Sequence, residues 1–262
     1  MIKEPVARAA SDRPMTLIEH LDELRKRLAL CLLALVIGVA VAFSQVERII
    51  GWLKAPAADR LPHFIFFAPT EALSAYLKVA GLAGLVVAMP VILWQVWAFV
   101  RIALTPLERA WGGVFVFFGT ILFVAGVAFA YFVLLPASLS ILLGIGKGIL
   151  EPMLSIDRYL SFVLALLSWC GVTFELPVVI FILAKVGIVT PEWLRQQRPY
   201  AILVLVTAAA LLTPTTDVVN QLLMTIPLVV LYEVSIPLAA LAAPKSVSAE
   251  AAEGQISTRQ HR

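Results

Sequence analysis

Charged residues are scarce in this chain: Asp, Glu, Lys and Arg make up 14% of its 262 residues, whereas hydrophobic residues make up 61%. A soluble domain usually carries about a quarter charged residues. The few charges cluster between long apolar runs, which is typical of a chain solvated by lipid. This scarcity argues against an ordinary soluble domain, and the small net charge of +3 argues against a nucleic-acid partner.

Cysteine and histidine are also rare. Cys31 and Cys170 lie in separate apolar runs, so we expect two small buried hydrophobes and no disulfide framework. The three histidines are far apart, and the chain lacks His-Glu-x-x-His, Gly-x-Ser-x-Gly and Walker-type motifs. We therefore expect no enzyme, metal or cofactor, since an intramembrane enzyme needs a nucleophile or paired acids. The segment before the first apolar run, residues 1–27, is long and charged, so the sequence does not predict a cleavable signal peptide.

Long apolar runs indicate membrane spans, because a hydrocarbon core of about 30 Å needs roughly 20 helical residues. Six candidate spans cover residues 28–46, 72–100, 110–135, 159–184, 200–212 and 218–243. The strong turn signal at 213–217 predicts a short helical hairpin from the last two. Pro90, Pro177 and Pro227 lie within spans and predict bent helices of unequal length. The expected fold class is an all-α integral membrane protein, a cupped bundle of six transmembrane helices with short fifth and sixth spans.

The distribution of basic residues predicts the orientation. With six spans, the N-terminus, the second and fourth loops and the tail hold 14 of the 20 Lys and Arg residues, and the other face holds 6. The positive-inside rule then places both termini in the cytoplasm. A single span in place of the last two divides the basic residues 11 to 9, which gives little bias. We predict one membrane domain over residues 1–243 and a disordered tail over 244–262.

An amphipathic helix is predicted over residues 16–27, before the first span. Leucines recur along one face at helical spacing: Leu17, Leu21, Leu24 and Leu28. Its polar face carries Glu23. One interpretation is an interfacial helix in which Glu23 forms a surface pair with Arg27. The other is that Glu23 binds a cationic ligand at this basic surface.

Two further acids have alternative interpretations. Glu108 is either a solvated loop acid or the second carboxylate, with Glu23, for a pair of guanidinium groups, which Arg presents in a planar fork that Lys cannot reproduce. Glu175 lies well within the fourth span, where an ionised side chain is costly unless it faces protein or water. It therefore predicts a functional site. One alternative for the whole chain is a secondary transporter with Glu175 as a proton or cation site.

A series of short motifs covers roughly residues 15–240. They include His20-Leu21-Asp22-Glu23-Leu24-Arg25-Lys26-Arg27-Leu28, Pro69-Thr70-Glu71, Trp94-Gln95-Val96-Trp97-Ala98-Phe99, Phe174-Glu175-Leu176-Pro177, Arg198-Pro199-Tyr200 and Ile226-Pro227. In this order they resemble the TatC family, the multi-spanning receptor of the twin-arginine translocation system. The chain departs from the family pattern at Ile102, where a proline is usual, and by one extra residue in the turn at 213–217.

The resemblance implies a receptor that, with single-span partners of the TatA and TatB type, exports folded proteins across the cytoplasmic (inner) membrane. It implies self-association in a multimeric receptor complex. It assigns binding of signal peptides with consecutive arginines to Glu23, Glu108, Arg25, Leu28 and Phe99. It assigns translocation or partner contacts to Glu175, Thr213, Gln221, Asp217 and the outer-loop residue Pro56.

Overall fold

A computed structural model describes residues 17–58, 65, 67–104, 109–144, 154–212 and 218–242. The helices are α1 Leu17–Phe43, α2 Val46–Lys54, α3 Thr70–Val100, α4 Gly112–Phe129, α5 Leu135–Leu142, α6 Ile156–Phe174, α7 Leu176–Lys185, α8 Pro191–Gln196, α9 Arg198–Leu212 and α10 Val218–Ala242. Short 3₁₀ turns, Ala55–Ala57 and Arg101–Ala103, follow α2 and α3. The predicted tail at 244–262 lies outside the described residues. The all-α fold class is confirmed.

Five helical segments in the described part of the chain are long and apolar enough to cross a membrane. They are Ile18–Phe43, Thr70–Val100, Gly112–Leu142, Ile156–Lys185 and Val218–Ala242. The helix α9 has 15 residues and rises only about 22 Å at 1.5 Å per residue. It is therefore short, as predicted. The helix α10 has 25 residues, which agrees with the predicted span 218–243. It is not short, because Asn220, Gln221 and Glu233 leave the helical backbone unbroken.

The first helix differs from its prediction. Instead of a surface helix over 16–27 and a separate span, α1 is one continuous helix of 27 residues. The chain has no proline or glycine from Leu17 to Ile37, so nothing interrupts the backbone hydrogen bonds where the polar segment meets the apolar one. As a result, Glu23 is rigidly attached to a membrane-spanning helix.

A pair of glycines sets the distance between α1 and α3. A Cβ atom built on Gly38 would lie 2.5 Å from the carbonyl oxygen of Gly84, and one built on Gly84 would lie 2.5 Å from the backbone nitrogen of Val39. Close backbone approach through small residues is common between helices in lipid. Most large apolar side chains of α1 are otherwise exposed, so this contact with α3 is its main attachment to the bundle.

Prolines affect the spans to different degrees. Pro90 lies within α3 without ending that helix. A π-helical turn, Ala130–Leu134, joins α4 to α5 just before Pro136. The fourth span divides into α6 and α7, because Pro177 has no amide hydrogen to donate to the carbonyl of Thr173. The cupped form of the bundle stays a prediction.

Two apolar clusters form the interior. The larger one joins α6 and α10 and includes Leu160, Leu166 and Leu228. The smaller one lies where α3 meets α4, and its Trp97 stacks on Phe115 with the ring centroids 5.1 Å apart. The smaller cluster attaches the end of α3, which carries Phe99, to the start of α4.

Gly84→Ala is expected to destabilise the protein, whereas Gly81→Ala, one turn away on α3, is expected to be neutral or stabilising. A Cβ at residue 84 collides with the backbone of α1, and overpacking of this kind costs about 1–3 kcal/mol. A Cβ at residue 81 meets nothing within 4 Å, and replacing a helical glycine contributes up to about 1 kcal/mol. Thermal unfolding in detergent measures the difference. Equal melting temperatures would contradict the close contact of α1 with α3.

Candidate functional site

Glu23 lies on α1, and its carboxylate holds the guanidinium of Arg27. Arg27 Nε donates to Glu23 Oε1 at 2.7 Å, and Arg27 Nη2 lies 2.6 Å from the same oxygen. The Glu23 and Arg27 side chains are 20% and 24% exposed, respectively, so the pair is partly shielded from water. Glu23 Oε2 accepts no hydrogen bond from the described residues. The predicted pair between Glu23 and Arg27 is present, and it leaves one carboxylate oxygen open.

Two contacts hold this part of α1 against α3. Arg27 Nη1 donates to Gln95 Oε1 at 3.0 Å, and Gln95 is only 9% exposed. One turn further along α3, the Phe99 ring lies with its centroid 4.5 Å from that of His20. Since the two helices are antiparallel, the first turns of α1 are held against the last turns of α3.

Four of the five residues that the resemblance assigns to signal-peptide binding meet at this end of the α1–α3 pair. Glu23 and Phe99 take part in the contacts just described, while Arg25 and Leu28 are exposed on α1. We call this region the α1–α3 end. It combines an acid, a cation and exposed apolar side chains on a rigid pair of helices.

The loop from α3 to α4 begins at the α1–α3 end. Glu108, the fifth assigned residue, lies outside the described residues. Its neighbour Arg109 donates from Nε to the carbonyl oxygens of Arg101 and Leu104, at 3.2 and 3.1 Å. The Arg101 carbonyl also accepts from the amide of Leu104 at 3.2 Å, so Arg109 supplies it with a second donor at the end of α3. These bonds hold the chain next to Glu108 close to α3.

Glu175 lies between α6 and α7 in the interior of the bundle. It is 7% exposed, and neither of its carboxylate oxygens has a hydrogen-bond partner among the described residues. A Cβ atom built on Gly119 would lie 3.3 Å from Glu175 Oε2, so the carboxyl group lies against the backbone of α4. Lys185, at the end of α7, is ten residues or about 15 Å away. A buried carboxyl without donors is destabilising, which favours a functional role over a packing role.

The residues assigned to the last hairpin are only partly described. Thr213 and Asp217 lie outside the described residues. Gln221, in the first turn of α10, donates from Nε2 to the carbonyl oxygen of Val206 on α9 at 3.5 Å. Gln221 thus lies at the contact between α9 and α10. Its hydrogen bond is long and therefore weak, so the Gln221 amide can donate instead to an acceptor that lies closer.

Pro56 lies in the 3₁₀ turn after α2, which two tyrosines hold in place. Tyr131 Oη donates to the carbonyl oxygen of Trp52, and Tyr159 Oη to that of Leu53, both at 2.7 Å. These acceptors belong to the last turn of α2, and the Trp52 carbonyl also accepts from the amide of Ala55. The position of Pro56 therefore depends on the third and fourth spans.

Several residues that shape these regions were missed by the sequence analysis. Gln95 is part of a family motif, and a lone amide in an apolar helix is itself a signal of a buried hydrogen bond. No local pattern identifies the roles of Arg109, Tyr131 and Tyr159, because each bonds to a backbone carbonyl of another segment. Among the described residues, no group of three His, Cys, Asp or Glu side chains could hold a metal ion.

Comparisons with known proteins show similarity over most of the chain. The model of the family described as Sec-independent protein translocase protein (TatC) matches residues 19–227. The protein of that name from Carboxydothermus hydrogenoformans is 44% identical over 239 residues, covering 91% of this chain and 98% of that protein. The one from Aquifex aeolicus is 40% identical over 235 residues, covering 88% and 97%. All the candidate residues fall within the family match.

The similarity extends to three dimensions. A crystal structure of the twin arginine translocase receptor TatC superposes with a TM-score of 0.74 at 40% sequence identity. The superposition covers 86% of this chain and 99% of that chain. A second crystal structure of that receptor, in the detergent DDM, gives a TM-score of 0.76. The helical arrangement described above is therefore that of a known membrane receptor.

Glu175→Met is expected to raise the melting temperature in detergent. The change removes two buried oxygens that have no donor, and such atoms cost about 1–3 kcal/mol. Glu71→Met is the matched control with the opposite sign, because Glu71 Oε2 accepts a hydrogen bond from Ser155 Oγ at 2.6 Å. Thermal unfolding of both variants checks this. A lower melting temperature for Glu175→Met would show that the carboxyl group has a stabilising partner.

Proposed function

The chain belongs to the TatC family of Sec-independent protein translocase proteins, and from this we propose that Glu23 and Glu108 bind the arginine pair of a signal peptide. As a member of that family, it is a receptor subunit of the twin-arginine translocase. It is a multi-span membrane protein of protein transport and not an enzyme, and it works with the other Tat components. The comparisons give no support to the secondary transporter considered above.

The position of Glu23 is the observation that carries the proposal. Its carboxylate lies at the α1–α3 end, on the face predicted to hold 14 of the 20 Lys and Arg residues. Because the surrounding residues are basic, this acid attracts a cationic ligand only at short range. It therefore favours a ligand with a short cationic motif and disfavours a ligand with a broad basic surface. It already binds one guanidinium, that of Arg27, so its geometry suits this group.

We assign the second carboxylate to Glu108. The hydrogen bonds of Arg109 to the end of α3 support this assignment, because they bring the neighbouring chain towards the α1–α3 end. Two carboxylates there would accept two adjacent arginine side chains. The exposed Leu28 and the ring of Phe99 supply apolar surface for the residues that follow the arginines, and Arg25 orients the acids by its charge.

Single-span partners of the TatA and TatB type are proposed to dock at α9 and α10. The short α9 supports this, since a helix that does not match the bilayer gains from a longer neighbour. Gln221, Thr213 and Asp217 supply polar groups on this hairpin, and Glu175 supplies one inside the bundle, where an entering helix with a donor would satisfy it. The exposed apolar face of α1 supports self-association in a multimeric receptor complex.

We infer that the chain lies in the cytoplasmic membrane with both termini in the cytoplasm. The bias of 14 basic residues against 6 supports this orientation. It places the α1–α3 end where unfolded signal peptides of newly made proteins are found. Pro56, on the opposite side, then faces outward together with α2.

The orientation predicts which engineered cysteines a membrane-impermeant maleimide can reach. In a background without Cys31 and Cys170, Trp52→Cys should be labelled from outside intact spheroplasts, because Trp52 is exposed at the outer end of the bundle. Lys26→Cys, exposed on α1, should be labelled only after the membrane is opened. The reverse pattern would contradict cytoplasmic termini.

Glu23→Gln and Glu108→Gln are each expected to weaken binding of a twin-arginine peptide by about tenfold. A charge-assisted hydrogen bond contributes about 1.5–3 kcal/mol, and 1.4 kcal/mol corresponds to tenfold. Partial exposure and salt bring the effect towards the low end of that range. A peptide with two lysines in place of the arginines should also bind more weakly. Fluorescence anisotropy of a labelled peptide with the protein in nanodiscs measures these affinities.

Glu47→Gln is the matched control for these variants. Glu47 is an exposed acid on α2, at the opposite side of the bundle, where it accepts a hydrogen bond from Tyr76 at 3.4 Å. Its replacement should leave peptide affinity unchanged. Normal binding by both Glu23→Gln and Glu108→Gln would overturn the recognition proposal.

A further inference from the structure

The contact between Arg27 and Glu23 has an uneven geometry. Two of the three nitrogens of the Arg27 guanidinium, Nε at 2.7 Å and Nη2 at 2.6 Å, lie against the same oxygen, Oε1. The most favourable pairing of a guanidinium with a carboxylate uses two parallel bonds, one to each oxygen. Arg27 therefore pairs with Glu23 without using the second carboxylate oxygen, Oε2.

A second guanidinium cannot bind Glu23 in the favourable fork while Arg27 is in place. The fork needs Oε1 as well as Oε2, and Oε1 already accepts a hydrogen bond from Arg27 Nε and lies 2.6 Å from Nη2. Two guanidinium groups on one carboxylate would also repel each other at short range. A ligand must therefore displace Arg27 from Oε1.

We propose that Arg27 is a resident competitor at Glu23, which the arginine of a signal peptide must displace before it binds. This inference rests on the proposed function of Glu23. Competition lowers the affinity of every cationic ligand by the same factor. A ligand arginine, which forms the two-oxygen fork, still binds after this reduction in affinity. A ligand lysine presents only a point charge, and its weaker affinity is reduced so far that little of it is bound. Arg27 thus sets a threshold for recognition.

Gln95 keeps the competitor close to its position. Its Oε1 accepts from Arg27 Nη1 at 3.0 Å, and this bond does not involve Glu23. A displaced Arg27 can retain it while its two contacts with Oε1 are exchanged. Because Gln95 is uncharged, it does not draw Arg27 away from the acid when no ligand is present. It is a positioning residue for Arg27.

Arg27→Lys tests this inference because it keeps the net charge. A lysine cannot reproduce two donor contacts with Oε1, so competition weakens and a twin-arginine peptide should bind more tightly. A partly exposed i, i+4 pair is worth at most about 1 kcal/mol, so the gain should be up to about fivefold. Arg27→Gln should give at least the same gain. Anisotropy with the full-length chain in nanodiscs measures twin-arginine and twin-lysine peptides side by side.

The competition model makes two further demands on the same data. Both peptides should gain by the same factor, so that their affinity ratio is unchanged. In a Glu23→Gln background, Arg27→Lys should have no effect, because the acid for which the two compete is gone. Arg101→Lys is the matched control, since Arg101 is an exposed arginine at the end of α3, and it should leave both affinities unchanged.

The outcomes separate this inference from the proposed function. Loss of binding in Glu23→Gln with no gain in Arg27→Lys or Arg27→Gln overturns the competitor alone. A gain that persists in the Glu23→Gln background also overturns it, since Arg27 would then act through general charge. Unchanged binding in Glu23→Gln overturns the proposed role of that acid itself. Melting temperatures of the variants show whether a weaker result reflects loss of folded protein.

Discussion

The packing of three helices against α3 determines where the rest of the structure can lie. With 31 residues, α3 extends about 46 Å at 1.5 Å per residue. It meets α1 at Gly84 and Gln95, α4 at Trp97, and α6 through Lys78, whose Nζ donates to the Asp157 carboxylate at 2.7 and 2.9 Å. These contacts are spread along its whole length. Both ends of the bundle are therefore positioned by one helix, and the α1–α3 end is as rigid as α3 itself.

Two acids of this chain occupy opposite environments, and the difference indicates different tasks. Glu23 has a guanidinium within 2.7 Å and partial access to water, so it can exchange one cation for another. Glu175 has no donor among the described residues and is almost fully buried. An ionised group there is costly unless something polar arrives. The first environment suits reversible binding at a surface, and the second suits a group that waits for a partner within the membrane.

Much of the fold could be predicted from the sequence, because the bilayer imposes a length on each apolar run. The first four spans and the short α9 follow from this rule. The unbroken α1 did not, since amphipathic spacing shows which face is polar but not whether the helix continues into the membrane. The bounds of α10 also follow from that rule, although the polar residues Asn220 and Gln221 favoured a shorter membrane segment than the unbroken helix shows.

The candidate site was less accessible to sequence reasoning than the fold. The pair of Glu23 and Arg27 follows from i, i+4 spacing alone. Its bond to Gln95 joins residues 68 positions apart, and only the antiparallel packing of α1 on α3 brings them together. The same holds for the tyrosines that hold the turn of Pro56. Local patterns therefore identified the acid, while the contacts that orient it depend on tertiary packing.

The partial burial of Glu23 is what allows a carboxylate to choose between cations. At a fully exposed position, ion pairs contribute about 0–1 kcal/mol and differ little between Arg and Lys. In a dry interior, the cost of removing both charges from water can exceed their attraction. At the α1–α3 end, the acid keeps about a fifth of its exposure, so hydrogen-bond geometry counts and ligands can still enter and leave. Apolar packing on one side and water on the other provide this balance, and the continuous α1 keeps the acid at that boundary.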